Sequence, residues 1–154
     1  MVMWIVAAAT AFNSLYVAIG ARELVTDLIL SLELNRWIIL VGMQLTLFFL
    51  GCIMDDYAIV MLAAPIYVPI ISTLGFDTLW FGILFILNMQ MAYLTPPYGF
   101  NLFYLKGIVP KGVTMGDIYR SIIPFVALQG TGLALVMAFP QLALWLPSMM
   151  VFQG

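Results

Sequence analysis

The chain has 154 residues, 65% of them hydrophobic and 8% charged, with a formal net charge of −2 and no histidine. At a mean hydropathy of +1.14, so few charges cannot cover a water-soluble globule, and the chain reads as an integral membrane protein. The net charge and the absence of a basic run argue against nucleic acid as partner, the absence of histidine removes imidazole catalysis and the usual zinc sites, and a single cysteine, Cys52, excludes an internal disulfide.

The apolar runs are continuous instead of alternating, which predicts helices and disfavours a barrel. At ~1.5 Å per residue across a hydrocarbon core of ~30 Å, the length suffices for roughly four or five crossings in one unit. The stretch from Met1 to Ala9 has no positively charged start and reads as the beginning of a membrane helix over residues 1–19. Gly20, Arg22 and Glu23 end it.

Over residues 22–33 the pattern changes. Leu24, Val25, Leu28, Ile29 and Leu32 fall at helical spacing with Glu23, Asp27, Ser31 and Glu33 opposite, which predicts an amphipathic helix at the interface.

Residues 37–72 form two apolar arms joined by Gly51-Cys-Ile-Met-Asp-Asp56, with Pro65 and Pro69 in the second arm. This is a helical hairpin, either two full spans or a re-entrant pair. The first arm, from Trp37 to Leu50, is about 21 Å long at helical rise, short for a crossing, and so leans to re-entry. An intramembrane carboxylate costs ~2.5–3.5 kcal/mol or more, which singles out Asp55; capping of the second arm is the alternative role for Asp55 and the better one for Asp56. Gly51 offers exposed backbone at the tip.

A turn at Leu74-Gly-Phe-Asp77 precedes residues 77–108, with Asp77 or Thr78 as the cap. This segment is broken at its centre by Thr95-Pro-Pro-Tyr-Gly-Phe-Asn101. Two prolines remove backbone donors and leave carbonyls between Asn88 and Leu94 short of helical partners. In hydrocarbon each such group costs several kcal/mol, so broken backbone persists against protein or around a ligand or water. A hard cation such as sodium, held by those carbonyls, the Thr95 hydroxyl and Asn101, would satisfy them. A packed proline kink is the bland reading. Asn88 and Gln90 precede the break and would line a polar path or bond to a neighbouring helix.

Lys106, Lys111 and Arg120 form the basic cluster of the chain, so the loop 106–120 is expected in the cytoplasm and the C-terminus on the other side. Residues 121–146 read as a last membrane helix, with Gly130, Ala134 and Ala138 as a small-residue packing face.

Taken in order, Phe49-Leu-Gly-Cys-Ile-Met-Asp55, Ala64-Pro-Ile-Tyr-Val-Pro-Ile70, Leu74-Gly-Phe-Asp77, Trp80-Phe-Gly82, Tyr93-Leu-Thr-Pro-Pro-Tyr-Gly99, Leu105-Lys-Gly107 and Phe139-Pro-Gln-Leu-Ala-Leu-Trp-Leu-Pro147 resemble the large membrane subunit of tripartite ATP-independent periplasmic (TRAP) transporters. The blocks Asn88-Met-Gln90 and Val113-Thr-Met-Gly-Asp-Ile-Tyr-Arg120 are most similar to the branch labelled for mannitol and chloroaromatic compounds.

The resemblance implies an all-α integral membrane fold, the C-terminal repeat of an elevator-type transporter, with 37–72 re-entrant beside a broken transmembrane helix. It implies a sodium-driven carrier of organic acids in the bacterial inner membrane, not an enzyme. A periplasmic binding protein would feed it, and a small membrane subunit would stand beside it. Gly51, Thr95, Pro96 and Gly99 would help form a sodium site, and substrate would lie at the hairpin tip near Gly51 and Cys52, with Asp55, Asn88, Gln90, Tyr98 and Asn101 as further candidates. The resemblance also implies a partnering N-terminal repeat, without which this chain holds half of a two-half site. The competing expectation is a non-transporting assembly partner or an inert transporter fragment.

Overall fold

A computed structural model describes residues 2–31, 34–54, 56–96, 99–110 and 112–151. Among them the chain forms eight helices and no strand: α1 (Val2–Ala18), α2 (Ala21–Ser31), α3 (Arg36–Gly51), α4 (Asp56–Thr73), α5 (Thr78–Ala92), α6 (Phe100–Ile108), α7 (Met115–Ala138) and α8 (Gln141–Val151). Asp55 and Tyr98, both candidate site residues, lie outside the described residues, as do Leu32 and Glu33 at the end of the amphipathic segment.

Gly20, at φ +69, closes α1 in the left-handed conformation that suits a residue without Cβ, and the chain then bends by 72° into α2. Both helices pack on α4, with Ala9 and Tyr16 buried on α1. Asn35 accepts a bond from the Trp37 amide at 3.0 Å and starts α3, which runs to the hairpin tip. Helix α4 returns from the tip through Pro65 and Pro69 without interruption. The two arms are tied by the Thr46 and Tyr67 hydroxyls, 2.7 Å apart.

Between α4 and α5 the turn is set by Gly75 at φ +76. The Phe76 amide reaches back to the Ile71 carbonyl and the Gly75 amide to that of Ser72, both at 3.1 Å, the crossed pair of bonds that satisfies a helix C-terminus. Asp77 then caps α5 by accepting from the Trp80 amide at 3.0 Å. Thus the Leu74–Asp77 turn of the sequence carries both a stop and a start.

The main core lies among α3, α4 and α5, where Leu40, Leu47, Ile70, Ile71 and Leu84 are fully enclosed. A smaller core of Leu102, Ile118 and Ile122 joins α6 to α7.

Two boundaries differ from the sequence expectation of a helix over 121–146. Helix α7 starts at Met115, because Thr114 and Asp117 cap each other's backbone amides in a reciprocal box; the charged residues there suggested a loop. It ends at Ala138, since Pro140 cannot donate to the carbonyl one turn back, and α8 begins separately. The carbonyl left without that donor, Val136, instead accepts from the Trp80 indole N–H at 2.9 Å, which fastens α7 to α5.

Among the described residues, α7 is long and apolar enough to cross a membrane by itself, and the bent pair α1–α2 is a second candidate. Helices α3, α4 and α5 are apolar but shorter. Large apolar side chains such as Ile123, Phe125 and Leu128 face outward on α7, where lipid would be their natural solvent.

Candidate functional site

Helices α3 and α5 run in the same direction along one seam. At one end Trp37 meets Trp80 edge-on, with ring centroids 6.3 Å apart. In the middle Asn88 donates from Nδ2 to the Gln44 backbone carbonyl at 2.7 Å and to Gln44 Oε1 at 2.6 Å. At the far end the hairpin tip closes on the last turn of α5. A Cβ built on Gly51 would fall 2.7 Å from the Ala92 Cβ and 3.2 Å from Met89 Cε. Only a glycine permits that approach. Cys52, the next residue, is buried with its Sγ 4.0 Å from the Ala92 carbonyl.

From Ala92 the helix tightens and then breaks. The Tyr93 amide still reaches the Met89 carbonyl, but the Leu94 and Thr95 amides turn to Met91 and Ala92, at 3.2 and 3.0 Å, in three-residue turns. The Thr95 hydroxyl donates to the Met91 carbonyl at 2.9 Å. The expectation of several free carbonyls before the prolines is therefore too broad. Met89, Met91 and Ala92 all find donors: Met89 keeps the Tyr93 amide, Ala92 takes the Thr95 amide in place of the one Pro96 lacks, and Met91 takes the Leu94 amide and the Thr95 hydroxyl. The chain restarts at Gly99, which is buried at φ +42 and opens α6 without a side-chain cap. A helix N-terminus left open in this way carries unpaired amides and a partial positive charge.

The structure divides the remaining candidates. Gln90 and Asn101 line one cleft of ≈ 390 Å³ beside the break, together with Val60, Met89 and Tyr93. Thr95 and Pro96 line a second, of ≈ 330 Å³, which faces Tyr119 and Ile122 of α7. Asn101 also borders a third cleft with Ser121 and Gln129. Asn88 lines none of these. It is 1% exposed, against 4% for Gln44, and its amide N–H groups are spent on the α3–α5 seam.

Among the described residues, no group of three or more His, Cys, Asp or Glu could hold a metal ion. A cation at this junction would have to be held by carbonyl and hydroxyl oxygens; the Ala92 carbonyl lies beside the tip, and the Thr95 hydroxyl lies one turn further along the break. Sequence reasoning missed Ala92, and gave Gln44 no more than a place facing the hairpin's partner helix. Ala92 shows no polar chemistry and is legible only as a small residue one turn before Pro96. Gln44 stands seven residues before Gly51, a spacing that puts both on one helix face.

Residues 1–142 match the family model described as the tripartite ATP-independent periplasmic transporter, DctM component. The chain belongs to this family of TRAP transporter large permeases. It is 30% identical, over 148 residues, to the C4-dicarboxylate TRAP transporter large permease protein DctM of Pseudomonas aeruginosa, covering 96% of this chain and 34% of that protein. The sialic acid TRAP transporter large permease protein SiaM of Vibrio cholerae is 31% identical over 132 residues, 86% of this chain and 30% of the relative. The Rhodobacter capsulatus DctM protein is 29% identical over 150 residues, 97% and 34% of the two chains. The chain thus spans about a third of the length of the curated relatives it matches. Those relatives are named as permeases, and the helical, apolar architecture of this TRAP family member is that of an integral membrane protein.

Proposed function

We propose that the chain forms the C-terminal repeat of a sodium-coupled secondary transporter for organic acids in the bacterial inner membrane. In this reading the hairpin α3–α4 is re-entrant, its tip and the α5–α6 break supply one sodium site, and the substrate carboxylate binds beside it. An N-terminal repeat supplies the other half, and the chain by itself transports nothing. A small membrane subunit and a periplasmic binding protein complete the assembly, and transport proceeds by an elevator movement of the paired repeats. The basic stretch 106–120, which takes in the end of α6 and the start of α7, faces the cytoplasm and the C-terminus the periplasm, in keeping with the positive-inside rule.

The observation that supports this reading is the Gly51–Ala92 contact, which sets a glycine tip against the last turn of α5, one turn before the break that Thr95 begins. Backbone carbonyls at a broken helix suit an alkali cation, and an open helix N-terminus suits a carboxylate. Gly51, Thr95, Pro96 and Gly99 are assigned to the sodium side. Gln90 and Asn101, which share a cleft, supply amide donors for substrate, and Cys52, Asp55 and Tyr98 are assigned to the substrate side with them. The relatives' names direct the substrate search to C4-dicarboxylates and sialic acid.

The test is uptake into vesicles by this chain produced together with an N-terminal repeat, the small subunit and a binding protein. Accumulation of a C4-dicarboxylate or sialate driven by an inward sodium gradient, and lost when potassium replaces sodium, supports the reading. Uptake indifferent to sodium, or uptake unchanged by Thr95→Val combined with Asn101→Leu, contradicts it.

A further inference from the structure

We propose that Gln44 and Asn88 are a register lock, a buried amide pair that sets the axial position of α3 against α5 and so delivers Gly51 onto Ala92. On α3, Trp37, Gln44 and Gly51 recur every seven residues with Leu40 and Leu47 between them, and on α5, Trp80, Leu84, Asn88 and Ala92 recur every four. Apart from the tryptophans, the amide pair and the small residues at the tip, this is a row of leucines. A leucine row is nearly degenerate to a slip of one helical turn, about 5.4 Å. Such a slip would carry the glycine tip away from Ala92, the small residue of that row, and a polar pair at a heptad position is what makes one register preferable to its neighbours.

The pair is poorly explained as a source of stability. Asn88 uses Nδ2 twice, on the Gln44 carbonyl and side chain, while Asn88 Oδ1 and Gln44 Nε2 are buried without a hydrogen-bond partner. Two leucines would carry no such burden, since replacing both partners of a buried bond by apolar groups of similar shape is close to neutral. What leucines cannot do is distinguish registers. Asn88 is therefore a positioning residue for the tip rather than a ligand, and α3 moves with α5 as one body. The value of this to transport rests on the sodium-site reading; the register itself does not.

Cys52, the chain's single cysteine, sits beside Gly51 and reports on tip docking. The experiment measures the rate at which a maleimide labels Cys52 in the full chain reconstituted in lipid nanodiscs, with thermal unfolding of each variant in parallel. Asn88→Leu is expected to speed labelling about tenfold, the equivalent of one lost hydrogen bond with a stranded partner. The paired variant Gln44→Leu with Asn88→Leu decides the matter. A register lock predicts an unfolding temperature at or above that of the unaltered chain with labelling still fast, and the reciprocal pair Gln44→Asn with Asn88→Gln restores slow labelling. A double-leucine chain that is as stable and as well protected as the unaltered one overturns the proposal. If the single variant does not fold, the two paired variants carry the same test. Labelling of the unaltered chain in sodium against potassium reads the sodium site separately. No sodium effect there counts against the functional reading and leaves the register result standing.

Discussion

Gly51 and Ala92 approach so closely that a Cβ on Gly51 would lie 2.7 Å from the Ala92 Cβ. The neighbour is a rigid methyl on a helix, not the free end of a long side chain, so the helices must part to admit a methyl group. Gly51→Ala is expected to destabilise the chain by ~1–3 kcal/mol, the usual cost of overpacking. Adding Ala92→Gly should recover most of that loss by reopening the space. Unfolding temperatures of the two variants in detergent check it, and a Gly51→Ala chain as stable as the parent would contradict the tip geometry.

Gly99 lies at φ +42 at the start of α6. Gly99→Ala is expected to cost ~1–2 kcal/mol from the left-handed backbone alone. A Cβ there would also fall 2.9 Å from the enclosed Leu102 Cδ1, so Gly99→Asn should cost at least as much although asparagine visits that region more readily. A thermal comparison of the two variants tests this, and equal stability of Gly99→Ala and the parent would count against the assigned conformation.

Trp80 supplies the donor that Pro140 denies to the Val136 carbonyl. Trp80→Phe keeps an aromatic ring against Trp37 and Phe76 but leaves that half-buried carbonyl without its donor. The expected loss is ~0.5–1.5 kcal/mol, the net worth of one hydrogen bond. Adding Pro140→Ala restores a backbone amide within reach and should reduce the loss. Chemical unfolding of the single and paired variants reads the difference.

Asp77 caps α5 through its side chain, whereas Thr78 is the first helical residue. Asp77→Ala is expected to cost ~0.5–2 kcal/mol and Thr78→Ala much less. The same unfolding assay orders the two, and a reversed order would reject the cap.

These four tests also mark what a single sequence can show. The helical class follows from uninterrupted apolar runs, and the turn at Leu74–Asp77 follows from a glycine and an aspartate whose chemistry is local. The start of α7 was equally local, but the Thr114–Asp117 box sits among charges that read as loop. The end of α7 at Pro140 was concealed by apolar residues on both sides of it. The tie between Gln44 and Asn88 spans 44 residues of sequence, and no pattern within either helix names its partner. Nor could the sequence show that Thr95 would repay the Met91 carbonyl across one turn, since that depends on how the break winds. In these last two cases what was hidden is a partner, not a residue.

The central claim is that the junction of tip and break is half of a sodium site. Its most direct test is the sodium concentration giving half-maximal uptake by the assembled transporter carrying Thr95→Val, a change that removes one hydroxyl and almost no volume. The account predicts a rise of about tenfold or more, in line with the loss of one oxygen bound to a charge. A sodium dependence and maximal rate equal to those of the unaltered protein would contradict it.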